Sequence, residues 1–329
     1  MELVWRLARR LADGRFHSGQ SLAEEFGVSR STVWNALRDL QERGVELHAV
    51  RGKGYRLPFP VDWFEEDRVL AGLEPSVRRR VRVRVLAEAD STNNRLLAVP
   101  PPEPGNALVC LAEFQTGGRG RSGRRWLSPP GSGICLSLAW QFQRPPGNLS
   151  ALSIEAGLAV REALLSLGIP GVMLKWPNDL VVRAGKLGGL LLELRAEGNG
   201  PCHAVIGVGI NFRLPRGLAG DIESSGGLAP ADLSEACDGE SPDRNALAAR
   251  IVALLFDRLE MFEAGAMDRP ANEWRAADAL FGRTVTISTG QGSLVGRAAG
   301  IDSDGALRLD TGGKIERITA GDVKVRPGQ

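Results

Sequence analysis

Gly118-Arg119-Gly120-Arg121-Ser122-Gly123-Arg124-Arg125-Trp126 threads four arginines through glycines, just after the apolar run from Ala107 to Phe114. Glycine lets the backbone reach positive φ and approach a ligand closely. Each guanidinium offers a planar fork of donors matched to carboxylate or phosphate oxygens. A stretch of this composition buries almost nothing, so it predicts a mobile loop that holds anions. Gly118, Gly120 and Gly123 formally match the dinucleotide-binding fingerprint, which needs a helix opening at the third glycine and an acidic residue about 20 positions on. Arg-Arg-Trp-Leu-Ser-Pro-Pro-Gly follows instead, and its prolines and glycine break a helix. A loop that grips nucleic-acid phosphates stays open at this point.

With 329 residues the chain has room for two or three domains. Its 43% hydrophobic and 24% charged residues are those of an ordinary globular protein, and a net charge of +2 confines any nucleic-acid surface to one region. No segment approaches 18 consecutive apolar residues, and Met1 opens directly into a helical pattern, so neither a membrane span nor a secretory signal is expected. Cys110, Cys135, Cys202 and Cys237 lie far apart, and His17, His48 and His203 complete no metal-ligand spacing. Reduced thiols in a cytoplasmic protein are the simplest reading.

Residues 1 to about 58 carry three helical patterns and a hairpin. Leu3, Leu7 and Leu11 share one face of a first helix that stops near Gly14. Ser21, with Glu24 three residues on, predicts a capping box for a second helix ended by Gly27. Ser29 is expected to cap a third, whose Val33, Leu37 and Leu40 face inward while Arg30, Ser31, Asn35 and Arg38 face out. Val45 to Val50 and Tyr55 to Leu57, joined by Arg51-Gly52-Lys53-Gly54, read as a two-stranded wing. The segment resembles the winged helix-turn-helix regulators. That resemblance implies that Arg30, Ser31, Thr32, Asn35 and Arg38 meet DNA and Lys53 a phosphate, although such folds also dock proteins. Trp34 borders both faces and is left unassigned.

Pro58-Phe59-Pro60 marks a linker. Val81, Val83 and Val85 alternate with Arg80, Arg82 and Arg84 in a half-exposed strand with a solvated arginine face. Asp90-Ser91-Thr92-Asn93 follows at a strand end, as a helix cap or as donors and acceptors for a polar heterocycle. Strands are expected at Ile134 to Trp140, around a turn at Asn178-Asp179, over Lys186 to Leu194 and over Ala204 to Asn211; helices are expected from Ser150 to Leu167 and behind Ser241-Pro242. Short alternating strands from about Thr284 predict a small β-barrel of roughly 50 residues, near the lower limit for independent folding. The fold class is α+β.

Taken in order, Asp-Ser-Thr-Asn (90–93), the Arg/Gly loop, Lys-Trp-Pro-Asn-Asp-Leu (175–180), Lys-Leu-Gly-Gly-Leu-Leu (186–191) and Gly-Val-Gly-Ile-Asn (207–211) resemble the biotin protein ligases. The match spans essentially the full chain, and the winged helix in front points to the bifunctional form that also represses a biotin biosynthesis operon. The resemblance implies a winged helix at 1–60, a mixed-sheet ligase domain at 64–276 and an SH3-like β-barrel at 277–329. It implies biotin, ATP and Mg²⁺, a biotinyl-5′-AMP intermediate, transfer to a lysine of the biotin carboxyl carrier protein of acetyl-CoA carboxylase, a biotin operator, and a homodimer when adenylate is bound.

By the same resemblance Ser91, Thr92, Asn93, Gln115, Gly120 and Trp126 line the biotin site. Arg119, Arg121 and Lys186 hold carboxylate and phosphate. Asn178, Asp179 and Asn211 lie beside the nucleotide, with Asp179 as the Mg²⁺ contact or the group that positions the acceptor amine. Family members that stack adenine on a tryptophan after Gly-Ile-Asn differ from this chain, whose residues 213–241 hold no aromatic; Leu228 is the substitute. A biotin-sensing repressor without ligase activity and a lipoate-type ligase are the alternatives.

Overall fold

The computed structural model describes residues 2–143, 149–183, 185–196, 200–215, 217–218, 228–237, 242–265, 270–289 and 292–325. Three helices open the chain: α1 (Leu3–Arg10), α2 (Gly19–Phe26) and α3 (Arg30–Glu42), followed by the hairpin β1 (His48–Val50) and β2 (Gly54–Arg56). Leu7, Leu11, Leu22, Val33, Leu37 and Leu40 form their shared core. Ser29 caps α3 by accepting from the Thr32 amide, but α2 starts earlier than its sequence suggests. Ser18, not Ser21, is its cap, and Glu24 accepts from Gln20 rather than closing a capping box. The first strand of the wing is shorter than expected, and the second has the expected three residues but starts one earlier, at Gly54.

The short helices α4 (Glu66–Ala71) and α5 (Pro75–Arg78) lead into β3 (Val81–Ala89), α6 (Thr92–Leu97), β4 (Ala107–Gln115) and β5 (Gly133–Phe142). After α7 (Leu149–Ser166) come β6 (Met173–Lys175), β7 (Asp179–Val182), β8 (Gly185–Ala196) and β9 (Cys202–Asn211). These seven strands form one sheet in the order β3-β4-β5-β9-β8-β7-β6, parallel only between β3 and β4. Arg82 and Arg84 are exposed on β3 as expected, whereas Arg80 precedes the strand, donates to the Gly105 carbonyl and pairs with Glu260 at 2.6 Å.

A short helix α8 (Leu233–Ala236), the long α9 (Arg244–Glu263) and α10 (Pro270–Ala277) complete the central part. Asp243 caps α9, and Ser241 lies outside the described residues. Arg258 ties three helices together through Glu155, Glu162 and Glu273 at 2.9, 3.1 and 2.6 Å. Trp140 meets Phe256 edge to face at 5.3 Å, joining the sheet to α9.

The last strands are β10 (Thr284–Thr289), β11 (Gly292–Ile301), β12 (Leu307–Asp310), β13 (Ile315–Ile318) and β14 (Asp322–Val325), an antiparallel sheet ordered β13-β12-β11-β10-β14. Val285, Ile287, Leu307 and Leu309 belong to the same continuous core as the central sheet, and Trp176 donates its indole N–H to the Gly305 carbonyl at 3.0 Å. That shared core answers the size problem of so small a β unit. None of the described helices is long and apolar enough to cross a membrane.

Candidate active site

A pocket opens on one face of the central sheet where β4, β5, β8 and β9 lie side by side. It is lined by Ser91, Thr92, Asn93, Gln115, Arg119, Gly120, Arg121, Trp126, Asn178, Asp179 and Lys186, together with Leu228. Eleven of the twelve residues expected at the biotin and nucleotide sites therefore converge on one cavity. The exception, Asn211, does not line it; its buried amide donates to the carbonyls of Lys186 and Ala231 and clamps two backbone segments.

Strand register builds the floor. Gly207 lies opposite Ser137 and Gly209 opposite Cys135. A Cβ on Gly207 would stand 2.4 Å from Asn93 Oδ1, and one on Gly209 2.6 Å from the Trp126 ring. Both glycines exist to let a side chain lie flat against the sheet.

Ser91 stands at the N-cap position of α6 without a side-chain capping bond, and Ser91, Thr92 and Asn93 line the pocket, whereas Asp90 bonds locally, accepting from Asn94 at 2.7 Å. The Thr92 amide donates to Gln115 Oε1 at 2.7 Å. Asn93 donates to Glu193 Oε2 at 2.7 Å and to the Leu191 carbonyl. The fully buried Ser137 hydroxyl lies 2.6 Å from both Thr92 Oγ1 and Asn93 Oδ1. Ser137 and Glu193 were not foreseen, because only the register of β5 and β8 reveals them.

The Arg/Gly segment is folded rather than open. Trp126 donates its amide to the Gly118 carbonyl at 2.9 Å, Gly120 donates to Arg124 at 2.7 Å, and the turn between them takes Ser122 and Gly123 through φ of 56° and 72°. Arg119 donates to Asn94 Oδ1 at 2.6 Å, and Arg124 meets Asp322 of β14 at 3.0 Å. Arg121 differs from both. Its Nη1 is buried with no acceptor, and burial lowers its pKa. An orphaned cationic donor aimed into a cavity suits an incoming anion.

Across the pocket Lys186 Nζ lies 2.6 Å from Asp179 Oδ1, and Lys175 reaches Oδ2 at 3.3 Å. Burial works against the ionised Asp179 carboxyl, but the charges of Lys186 and Lys175 outweigh it and hold its pKa below the usual carboxylate range. Lys186 lies at the start of β8, which runs for twelve residues, longer than the expected Lys186 to Leu194. Asp179 is the one carboxylate among the pocket-lining residues, and among the described residues no cluster of His, Cys, Asp or Glu could cage a metal. The donor set thus fits a Mg²⁺ that arrives on phosphate oxygens, with at most one protein carboxylate beside it.

Over 320 residues the chain is 37% identical to the bifunctional ligase/repressor BirA of Salmonella typhimurium, covering 97% of this chain and 96% of that protein. This chain belongs to the biotin protein ligase family. The Escherichia coli BirA is 35% identical over 325 residues, covering 98% and 97%. Models of the Biotin/lipoate A/B protein ligase family, an HTH domain and a Biotin protein ligase C terminal domain match residues 85–211, 6–56 and 280–326. The Aquifex aeolicus biotin protein ligase solved with biotin and ATP superposes with a TM-score of 0.62 at 27% identity, covering 74% of this chain and 98% of that one.

In this biotin ligase family member the predicted DNA-facing residues lie on the first domain, away from the pocket lining. Arg30, Ser31, Thr32, Asn35, Arg38 and Lys53 are all exposed, five on α3 and one in the wing turn. Cys110, Cys135 and Cys202 are buried; burial pushes Cys110 up to about 12 and raises the other two, so none supplies a thiolate.

Proposed function

We propose that the chain activates biotin with MgATP and transfers it to a lysine of a biotin carboxyl carrier protein, and that its winged helix represses transcription at a biotin operator with biotinyl-5′-AMP as corepressor. The observation that carries the catalytic half is the cation set around one pocket, namely Arg119, the unpaired Arg121 and Lys186, facing a polar wall of Ser91, Thr92, Asn93 and Gln115. That wall matches a ring bearing a carbonyl and N–H groups, which a dithiolane lacks.

In the first step a biotin carboxylate oxygen attacks the α-phosphorus, the bond to the bridging oxygen breaks, and pyrophosphate leaves; a Mg²⁺ carried by the nucleotide would supply charge neutralisation on the phosphate oxygens. Two anions must meet, and preorganised cations offset their repulsion. In the second, the acceptor amine attacks the acyl carbon, AMP departs, and the amine loses a proton. Asp179, held ionised, is a poor base; it orients Lys186 and the incoming amine instead. Trp126 covers the apolar tail, while Asn178 and Leu228 lie on the nucleotide side. The domain limits 1–60, 64–276 and 277–329 and a homodimer formed with adenylate complete the reading. Equal sedimentation with and without adenylate would remove the dimer.

The test is biotin-dependent exchange of labelled pyrophosphate into ATP, with a parallel lipoate arm. Exchange with biotin alone that drops by about tenfold to a hundredfold in Lys186→Ala, the loss of one charge-assisted bond, supports the proposal. No exchange in the wild type would leave a biotin sensor without ligase activity.

A further inference from the structure

We propose that Trp34 reads thymine methyl groups in the major groove, with Arg38 stacked on it as its partner. The inference rests on the repressor reading above and extends it to a residue that the sequence left unassigned. On α3 the residues Arg30, Trp34 and Arg38 fall four apart on one exposed stripe that flanks the buried stripe of Val33, Leu37 and Leu40. Trp34 is 51% exposed. Every other tryptophan is buried or, in the case of Trp126, half-buried. The Arg38 guanidinium lies 5.2 Å from the Trp34 ring centroid and pairs with Glu42 at 3.4 Å. The stack fixes the ring on the outer face of the helix before any partner arrives.

Its surroundings select the partner. Residues 1–60 hold ten Lys and Arg against seven Asp and Glu, and Trp34 has Arg30, Ser31 and Arg38 three or four positions away on α3, with Thr32 and Asn35 exposed on the same helix. Positive charge with interleaved hydroxyl and amide groups complements a polyanion better than an apolar protein face. Within the major groove the apolar feature on offer is the C5-methyl of thymine. An indole on this exposed stripe can gain affinity at that methyl.

Fluorescence anisotropy of the full-length chain with biotin and MgATP present tests this. The probe is a labelled duplex of about 40 bp, long enough for two half-sites, selected by the wild type from a randomised pool. Trp34→Ala should bind it about tenfold more weakly, and Trp34→Phe should lie between. Replacing thymine by deoxyuracil should weaken the wild type by a similar factor while leaving Trp34→Ala nearly unchanged. The salt slope should stay the same in Trp34→Ala and become shallower by about one in Arg38→Ala. Circular dichroism confirms that the variants fold. Full affinity in Trp34→Ala, or full sensitivity of that variant to the methyl deletion, overturns the role of Trp34 and leaves the repressor reading intact. A wild type that retains no duplex overturns both.

Discussion

Adding one methyl group at Gly209 should damage biotin binding through Trp126. The new Cβ would lie 2.6 Å from Trp126 Cε2 and 2.8 Å from Cζ2, where ordinary contact begins at 3.4 Å, so the ring must withdraw by about 0.8 Å. The backbone cannot yield instead, since β9 is hydrogen-bonded on both sides, to β5 and to β8. Overpacking of this kind costs about 1–3 kcal/mol, and here the cost falls on a wall of the pocket. Gly209→Ala should therefore weaken biotin by roughly fivefold to 150-fold, measured by titration calorimetry. Trp126→Ala loses the ring contact but removes the clash, so the double variant should bind about as well as Trp126→Ala alone. Strictly additive losses would refute the reasoning, because two residues coupled only through that contact cannot add.

Three further outcomes follow from other parts of the molecule. Arg244 and Glu113 are both almost fully buried and 2.9 Å apart, so Arg244→Ala should destabilise the fold by about 3–5 kcal/mol in urea titration; a loss under about 1 kcal/mol would show that the pair is not what locks α9 to the sheet. Asp179 has a lowered pKa, so its stabilising contribution is complete above the ordinary carboxylate range near pH 4 and fades only as the pH falls below it; Asp179→Asn should change pyrophosphate exchange by the same factor at pH 6 and pH 8. The Arg124–Asp322 pair is nearly half exposed, so Asp322→Asn should raise the KM for MgATP by no more than a few-fold, and about 0.5 M salt should erase the difference.

Local chemistry was readable where it depends on neighbours in the chain. The Ser29 cap, the inward stripe of α3 and the left-handed Gly168 after α7 all follow from short-range rules, whereas the turn expected at Asn178-Asp179 falls on Trp176 to Asn178 and leaves Asp179 in β7, paired with Lys175. Ser18 defeated the same rules because Ser18 and Ser21 are both good caps, and the difference lies in where Leu22 must point to reach the core. The residues that order the site from behind were invisible for a different reason. Ser137 reaches Thr92 and Asn93 across 45 and 44 positions, and Arg244 reaches Glu113 across 131. Nothing periodic marks such partners; sheet register and helix docking create them. Asn211 shows the converse, a motif residue whose side chain is spent on holding the backbone near Lys186.

The Arg/Gly segment also explains how one chain can join ligation to repression. Its arginine side meets the last sheet through Arg124 and Asp322. Its far end meets the first domain just beyond the DNA-facing helix. A Cβ on Gly44, itself at φ 87°, would stand 3.0 Å from Pro129, and Arg43 pairs with Glu88 at 3.2 Å. A second cavity is walled on one side by Glu42, Arg43 and Gly44 and on the other by Trp126, Lys186 and Asn211. Packed interiors transmit displacement rather than absorb it. Trp126 and Arg121 lie three and eight positions from Pro129, so a ligand that displaces either acts on the chain that leads to Pro129 and, through it, to Gly44 at the end of α3. Linkage then runs in both directions: whatever free energy the filled pocket lends to DNA binding, bound DNA returns to the pocket. A contact confined to the active site could not do this, and a loop anchored at both neighbouring domains can.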